Sequence, residues 1–312
     1  MVVSRRHFIV SAVSLLLRGR GRAQEVTFSS GVQVVNILAT VRDKNHAILR
    51  DLTKDDFTIL EDGRPQTIRY FTRETDLPLT IGLLVDTSLS QTKVLDAERG
   101  ASLRFLDQVL RENKDHVFIM QFDLAVQTKQ PLTASRRELD QALAFVDTPT
   151  RRQLESQAGG GTLLFDSIVD ASDEIMKKQQ GRKALIVMSD GGENGSDANI
   201  TGAIEAAIRA ETLIYTIFFS DGSFGADRGI MQSLAKQTGG GYFEVSKKQT
   251  IDRVFALIEE DLRSQYSIGY VSDKPPVVSE FRKIQLVLKK PGLVVQSRDK
   301  YWAGPPEAPP GR

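Results

Sequence analysis

Five residues with oxygen-bearing side chains stand where apolar runs of the chain give way to polar loops. In LTIGLLVDTSLSQT (79–92), Asp86, Ser88 and Ser90 fall on alternate residues. In extended backbone, alternate side chains point the same way, so one carboxylate and two hydroxyls gather at the end of an apolar run. Thr162 follows Gly159, Gly160 and Gly161, which let the backbone approach closely. Asp190 comes directly after ALIVMS. All five are hard oxygen donors, the kind that suits Mg²⁺, Mn²⁺ or Ca²⁺ and not Zn²⁺ or copper. Singly, D-x-S-x-S is also how Asp and Ser build turns and helix N-caps, so the weight rests on the three places together.

The elements that must position these residues alternate along the chain. Apolar strands are predicted at 79–85, 116–122, 184–188 and 213–219, with a more polar one at 126–132 and a short one at 241–245. Between them run helices at about 93–111 (Leu95, Leu103, Leu106 and Leu110 at helical spacing), 138–146, 163–175, 200–210, 230–237 and 250–263. Uniformly apolar strands separated by helices predict an α/β fold: a doubly wound, mainly parallel sheet covered on both faces. Sites in such folds form beyond the carboxyl ends of the strands, which is where the five residues lie. The flanks read as β instead. Residues 57–60 run through Glu61-Asp62-Gly63 and return over 66–71 as a hairpin, with Asp55 and Asp56 as solvated turn acids before it. Strands are also predicted at 266–271, 284–288 and 293–295, followed by Tyr301 and Trp302 as an aromatic pair covering the β core or forming a binding patch. The expected organisation is a leader at 1–23, a β block at 24–78, the α/β domain at 79–264, a second β block at 265–302 and a disordered Pro-rich tail at 303–312. The two β blocks are expected to pack together as one small β-domain into which the α/β domain is inserted.

Composition narrows the function classes. The net charge is +1, and the five arginines of residues 1–23 leave the remainder of the chain four charges negative, so nucleic acid is not an expected partner. The absence of cysteine excludes thiol catalysis, disulfides and Cys-based metal sites. Outside the leader only His46 and His116 remain, both read as structural or solvated, which makes a His-based zinc centre implausible. There is no G-x-S-x-G elbow, P-loop or G-x-G-x-x-G after a strand. Asn194-Gly195-Ser196 and Asn199-Ile200-Thr201 match a glycosylation pattern but read as loop and cap residues. Residues 1–23 have a basic start, an apolar run too short to span a bilayer, and Gly21-Arg22-Ala23 as a small-x-small cleavage site. Ser4-Arg5-Arg6-His7-Phe8-Ile9 resembles a twin-arginine export motif, which implies a periplasmic or secreted protein that contacts the membrane only during export.

The combination of Asp86-Thr87-Ser88-Leu89-Ser90, Gly160-Gly161-Thr162 and Ser189-Asp190-Gly191 resembles the von Willebrand factor A (VWA) domain and its metal-ion-dependent adhesion site. The flanks, with Leu52-Thr53-Lys54-Asp55-Asp56-Phe57 and Tyr266-Ser267-Ile268-Gly269-Tyr270, are similar to a bacterial exported subgroup of these proteins. The resemblance implies that Asp86, Ser88, Ser90, Thr162 and Asp190 hold a divalent cation, Mg²⁺ first, with Mn²⁺ or Ca²⁺ as alternatives. It also implies that an Asp or Glu of a protein partner completes the coordination. The expected function is therefore binding and not catalysis. A scaffold with incidental metal is the alternative. A metal-dependent hydrolase would need a base from Asp166, Glu193 or Asp197, of which Asp166 reads as a loop cap.

Overall fold

The computed structural model describes residues 34–73, 77–150, 161–219, 225–274 and 278–304. The chain divides into two units, Met1–Val32 and Gln33–Arg312, and every described residue lies in the second. The expected leader, Gly159 and Gly160, and residues 305–312 of the expected tail lie outside the described residues.

The first flank contributes β1 (Val34–Arg42), β2 (Phe57–Glu61), β3 (Arg64–Gln66) and β4 (Ile68–Arg73). The middle runs β5 (Leu79–Asp86), α1 (Leu95–Val109), β6 (His116–Phe122), β7 (Val126–Thr133), α2 (Arg136–Leu143) and α3 (Leu164–Asp170). It continues with β8 (Arg182–Ser189), α4 (Ile200–Arg209), β9 (Leu213–Phe218), α5 (Arg228–Thr238), β10 (Tyr242–Glu244) and α6 (Ile251–Leu262). The last flank adds β11 (Tyr266–Val271), β12 (Glu280–Leu288), β13 (Val294–Ser297) and β14 (Lys300–Ala303).

Every residue of β5 is buried, as befits a central strand covered on both faces. It pairs in parallel with β6 and β8 in a six-stranded sheet of order β10-β9-β8-β5-β6-β7, in which only the edge strand β7 is antiparallel. On one face α1 and α6 bring Leu95, Phe105, Val254 and Phe255 onto Ile81, Leu83 and Ile186. On the other, α3, α4 and α5 bring Leu164, Ile204 and Met231 onto Leu84, Phe118 and Val187. Gly82 is glycine because a Cβ there would collide with the Phe118 ring and Leu185. The doubly wound sheet expected from the apolar rhythm is present. In α1 the expected stripe is shifted: Leu103 is only partly buried, and Glu98, Ser102, Phe105 and Val109 complete the inner face.

The β flanks form two four-stranded sheets, of order β13-β1-β11-β4 and β14-β12-β2-β3. Both contribute to one apolar core that includes Ile37, Ile59, Tyr266, Ile268 and Leu286. The expected hairpin over 57–71 is divided. Asp62 (φ 46°) and Gly63 (φ 80°) turn β2 into β3, and β4 then crosses to the other sheet to pair with β11. Tyr301 and Trp302 do not follow the last strand but lie in it, and Ala303, expected in the tail, is its buried end. Asp56 is no merely solvated acid: it accepts from the Thr53 amide at 2.8 Å and pairs with Lys290 at 3.0 Å. The C-terminal end of α6 is held to the first flank by Arg42–Asp261 and by Arg50–Glu260 at 2.8 Å. No helix of the described residues is long and apolar enough to cross a membrane.

Glu61, read from sequence as part of a turn, is instead a fully buried hub. Its carboxylate accepts from the hydroxyls of Tyr270 (2.7 Å), Tyr301 (2.8 Å) and Ser272 (2.6 Å) and faces the buried guanidinium of Arg282. Removing one partner of a buried pair leaves the other charge uncompensated, which costs about 3–5 kcal/mol. Glu61→Ala is expected to lower the unfolding free energy by about that amount, measured by urea denaturation.

Candidate metal centre

The carboxyl end of β5 delivers Asp86 into the interior, where it is fully buried. Its hydrogen bonds come from neutral groups, the Ser88 amide at 2.9 Å and the Ser189 hydroxyl at 2.5 Å. The chain beyond Asp86 turns at once into a short helical turn over Leu89–Gln91, which brings the Ser88 and Ser90 hydroxyls within 3.1 Å of each other. Asp190 follows the parallel neighbour β8 and is also buried. Its carboxylate accepts from the Gly192 amide at 2.9 Å, and its carbonyl accepts from Asp227 at 2.9 Å. Gly191 permits this loop: it has φ 73°, and a Cβ would run into the Asp227 carbonyl. Thr162 is half-buried and its backbone pairs with Asn194 in both directions, at 2.9 and 3.2 Å, so the threonine and aspartate loops are pinned to each other.

Asp123 links the third side. It directly follows β6, whose last residue, Phe122, pairs with Asp86 at the end of the adjacent parallel strand β5. Its carboxylate accepts from the Thr87 hydroxyl at 2.6 Å, and its carbonyl accepts from the Leu163 amide at 3.1 Å. The D-x-S-x-S loop and the threonine loop are thus held through one residue. All five residues singled out from sequence therefore sit on loops that the structure brings together at one edge of the sheet. Sequence reasoning missed Thr87 and Asp123. An acid directly after HVFIMQF was the available signal for Asp123, since it repeats the strand-to-acid pattern of Asp86 and Asp190.

The electrostatics are one-sided. Burial pushes the Asp86 carboxyl up to about 7; hydrogen bonds from Ser189 and Ser88 oppose this, and the charge of Asp190 adds to it. Glu98, on the inner face of α1, is held well above the usual carboxylate range by burial first, then by the charges of Asp86 and Asp190. Neither of its oxygens has a hydrogen-bond partner among the described residues, and neither does the buried Oε1 of Gln91, whose Nε2 donates to Ser90 at 3.3 Å. The unsatisfied atoms here are acceptors, which is what a region built to receive a cation presents. The donor set of two carboxylates and three hydroxyls fits a hard divalent ion. Among the described residues no group of three or more His, Cys, Asp or Glu side chains converges at ligating distance, so hydroxyl oxygens must complete any such site.

Because the folded pKa of Asp86 lies above the ordinary carboxylate value, the metal-free protein holds a proton there that the unfolded chain releases. Its contribution to stability is present at low pH and is lost as the pH rises through about 7. Metal-free protein is therefore expected to lose stability on the order of a few kcal/mol between pH 5 and 8, and a saturating divalent cation to reverse the loss, read as melting temperature against pH.

Several solved structures are similar to the chain. A von Willebrand factor type A protein from Catenulispora acidiphila is 12% identical with a TM-score of 0.51, covering 89% of this chain and 74% of its own. Proximal thread matrix protein 1 from the mussel byssus is 13% identical with a TM-score of 0.52, covering 66% of this chain and 51% of that protein. The conserved hypothetical protein BatB from Bacteroides thetaiotaomicron is 17% identical with a TM-score of 0.47, covering 60% of this chain and 97% of that one. No curated protein matches the chain. The family described as von Willebrand factor type A domain matches residues 80–256, from the second residue of β5 into α6. With more than half of its length matched, the chain belongs to the von Willebrand factor type A domain family.

Proposed function

We propose that this is an exported binding protein that engages a protein partner through a divalent cation, held by Asp86, Ser88, Ser90, Thr162 and Asp190. The observation that carries the reading is the buried Asp86, facing a second buried acid and hydrogen-bonded only by neutral donors, at the meeting point of the three loops. When bound, the ion supplies positive charge that offsets these acids. The three hydroxyls are neutral ligands and Mg²⁺ prefers six oxygens, so five protein groups leave a coordination position that an acidic side chain of the partner can enter. Mg²⁺ is the first choice because it binds through few carboxylates and keeps waters that an incoming group can replace. The family membership and the leader-like residues 1–23 support a place outside the cytoplasm.

Binding is favoured over hydrolysis because two of the three candidate bases, Asp166 and Glu193, are committed to holding the loops. Asp166 accepts from the amides of Asp197 (3.0 Å) and Ala198 (2.9 Å), as its reading as a loop cap anticipates. Glu193 accepts from the amides of Phe165 (3.1 Å) and Ser196 (2.9 Å) and from the Ser196 hydroxyl at 3.0 Å.

The test is thermal unfolding of metal-free protein with and without millimolar Mg²⁺ or Mn²⁺, alongside Asp86→Ala. A ligand at ~100 times its dissociation constant stabilises by roughly 2.7 kcal/mol, a shift of a few degrees. The shift is expected in the wild type and absent in the variant, and a captured partner is expected to be released by chelator. No shift, together with no heat in a calorimetric metal titration, would overturn the reading.

A further inference from the structure

Glu98 is the most anomalous charged residue in the described structure. It is fully buried, both carboxylate oxygens lack a partner among the described residues, and the charges acting on it are the two acids proposed as metal ligands. Its position follows from the packing of α1. The Ser102 hydroxyl, on the same inner face, lies 3.7 Å from the Met188 sulfur in β8. Glu98 stands four residues nearer the start of α1, about 6 Å toward the loops, and β8 runs through Met188 to Ser189, with Asp190 directly after it, in the same direction. Its carboxylate finds no hydrogen-bond partner among the described residues, and although the helix dipole favours an acid in the first turn of α1, that does not call for burying it in a face that carries Leu95, Ala101, Phe105 and Val109. Three other deeply buried acids, all away from the strand-end loops, are paired: Glu61 with Arg282, Asp115 with Arg111 and Asp261 with Arg42.

We infer that Glu98 is a third anionic group of the metal centre, set behind the ligand loops on α1, where its charge strengthens retention of the ion. The inference rests on the proposed metal site. Glu98 is a positioning charge and not a further direct ligand, because the three carboxyls do not converge at ligating distance. With three acids around one dication, the ion is held by the chain itself, before any partner contributes.

The role predicts opposite signs for two measurements on Glu98→Gln, a substitution of nearly equal size. Without metal, the variant is relieved of an unpartnered buried acid and is expected to melt higher than wild type. In calorimetric titration with Mn²⁺ or Mg²⁺ it is expected to bind at least tenfold more weakly, while Glu98→Asp, which keeps the charge, recovers part of the affinity. A merely structural role would move stability and affinity together. Unchanged metal affinity in Glu98→Gln, with binding abolished in Asp86→Ala, overturns the role of Glu98 and leaves the proposed function standing. Wild type that binds neither ion overturns both.

Discussion

A carboxylate withdrawn from water needs a counter-charge or a proton, and the effective penalty without one is several kcal/mol. In this protein Asp86 and Asp190 are carried into that situation by the strands they terminate, because the edge where β5 and β8 end is roofed by their own loops. Much of the surrounding structure serves to hold those loops. Asp123 joins the first loop to the second, Asn194 joins the second to the third, and Ser189 donates to Asp86 across the strand pair. These are hydrogen bonds from neutral groups. They orient the acids without neutralising them, which leaves the charge to be met by something that enters.

The same chain shows the other solution. In the β sandwich, Glu61 is as buried as Asp86, yet it faces Arg282 and accepts from three hydroxyls. Burial raises Asp261 to about 6, and the charge of Arg42 opposes that rise. Asp115 is pushed up by burial but ends below the usual range through the hydrogen bonds and charge of Arg111. Glu61, Asp115 and Asp261, away from the strand-end loops, each face an arginine, whereas the acids at the strand ends are met by hydroxyls and amides. That contrast within one molecule is what the proposed cation site rests on.

The sandwich and the sheet are joined at α6, whose C-terminal end is held to the first flank by Arg42–Asp261 and Arg50–Glu260. Arg182, at the start of β8, donates to the Leu262 carbonyl at the same place. The far end of the sheet from the candidate site is thereby fastened to the flanking strands. The site itself remains at the loop edge, where the three loops brace one another.

The sequence alone determined the parallel sheet and its helical cover and singled out the five candidate oxygen donors, because each is encoded locally. An apolar run of strand length, a helical spacing, and an acid or hydroxyl at a strand end are all visible within about ten residues. It also indicated that the β flanks belong together, though not that they form two sheets. Only the tertiary structure decided that β4 leaves the strand pair before it, that Lys300–Ala303 is a strand, and that Glu61 is a buried hub and not a turn residue. It alone buried Glu98 on the inner face of α1, within reach of the charges of Asp86 and Asp190, where the helical pattern had shown only leucines at helical spacing. The physical reason is the same in each case. Strand partners, counter-charges and the identity of an inner helix face are set by residues far away in the chain, and local pattern carries no record of which distant group arrives.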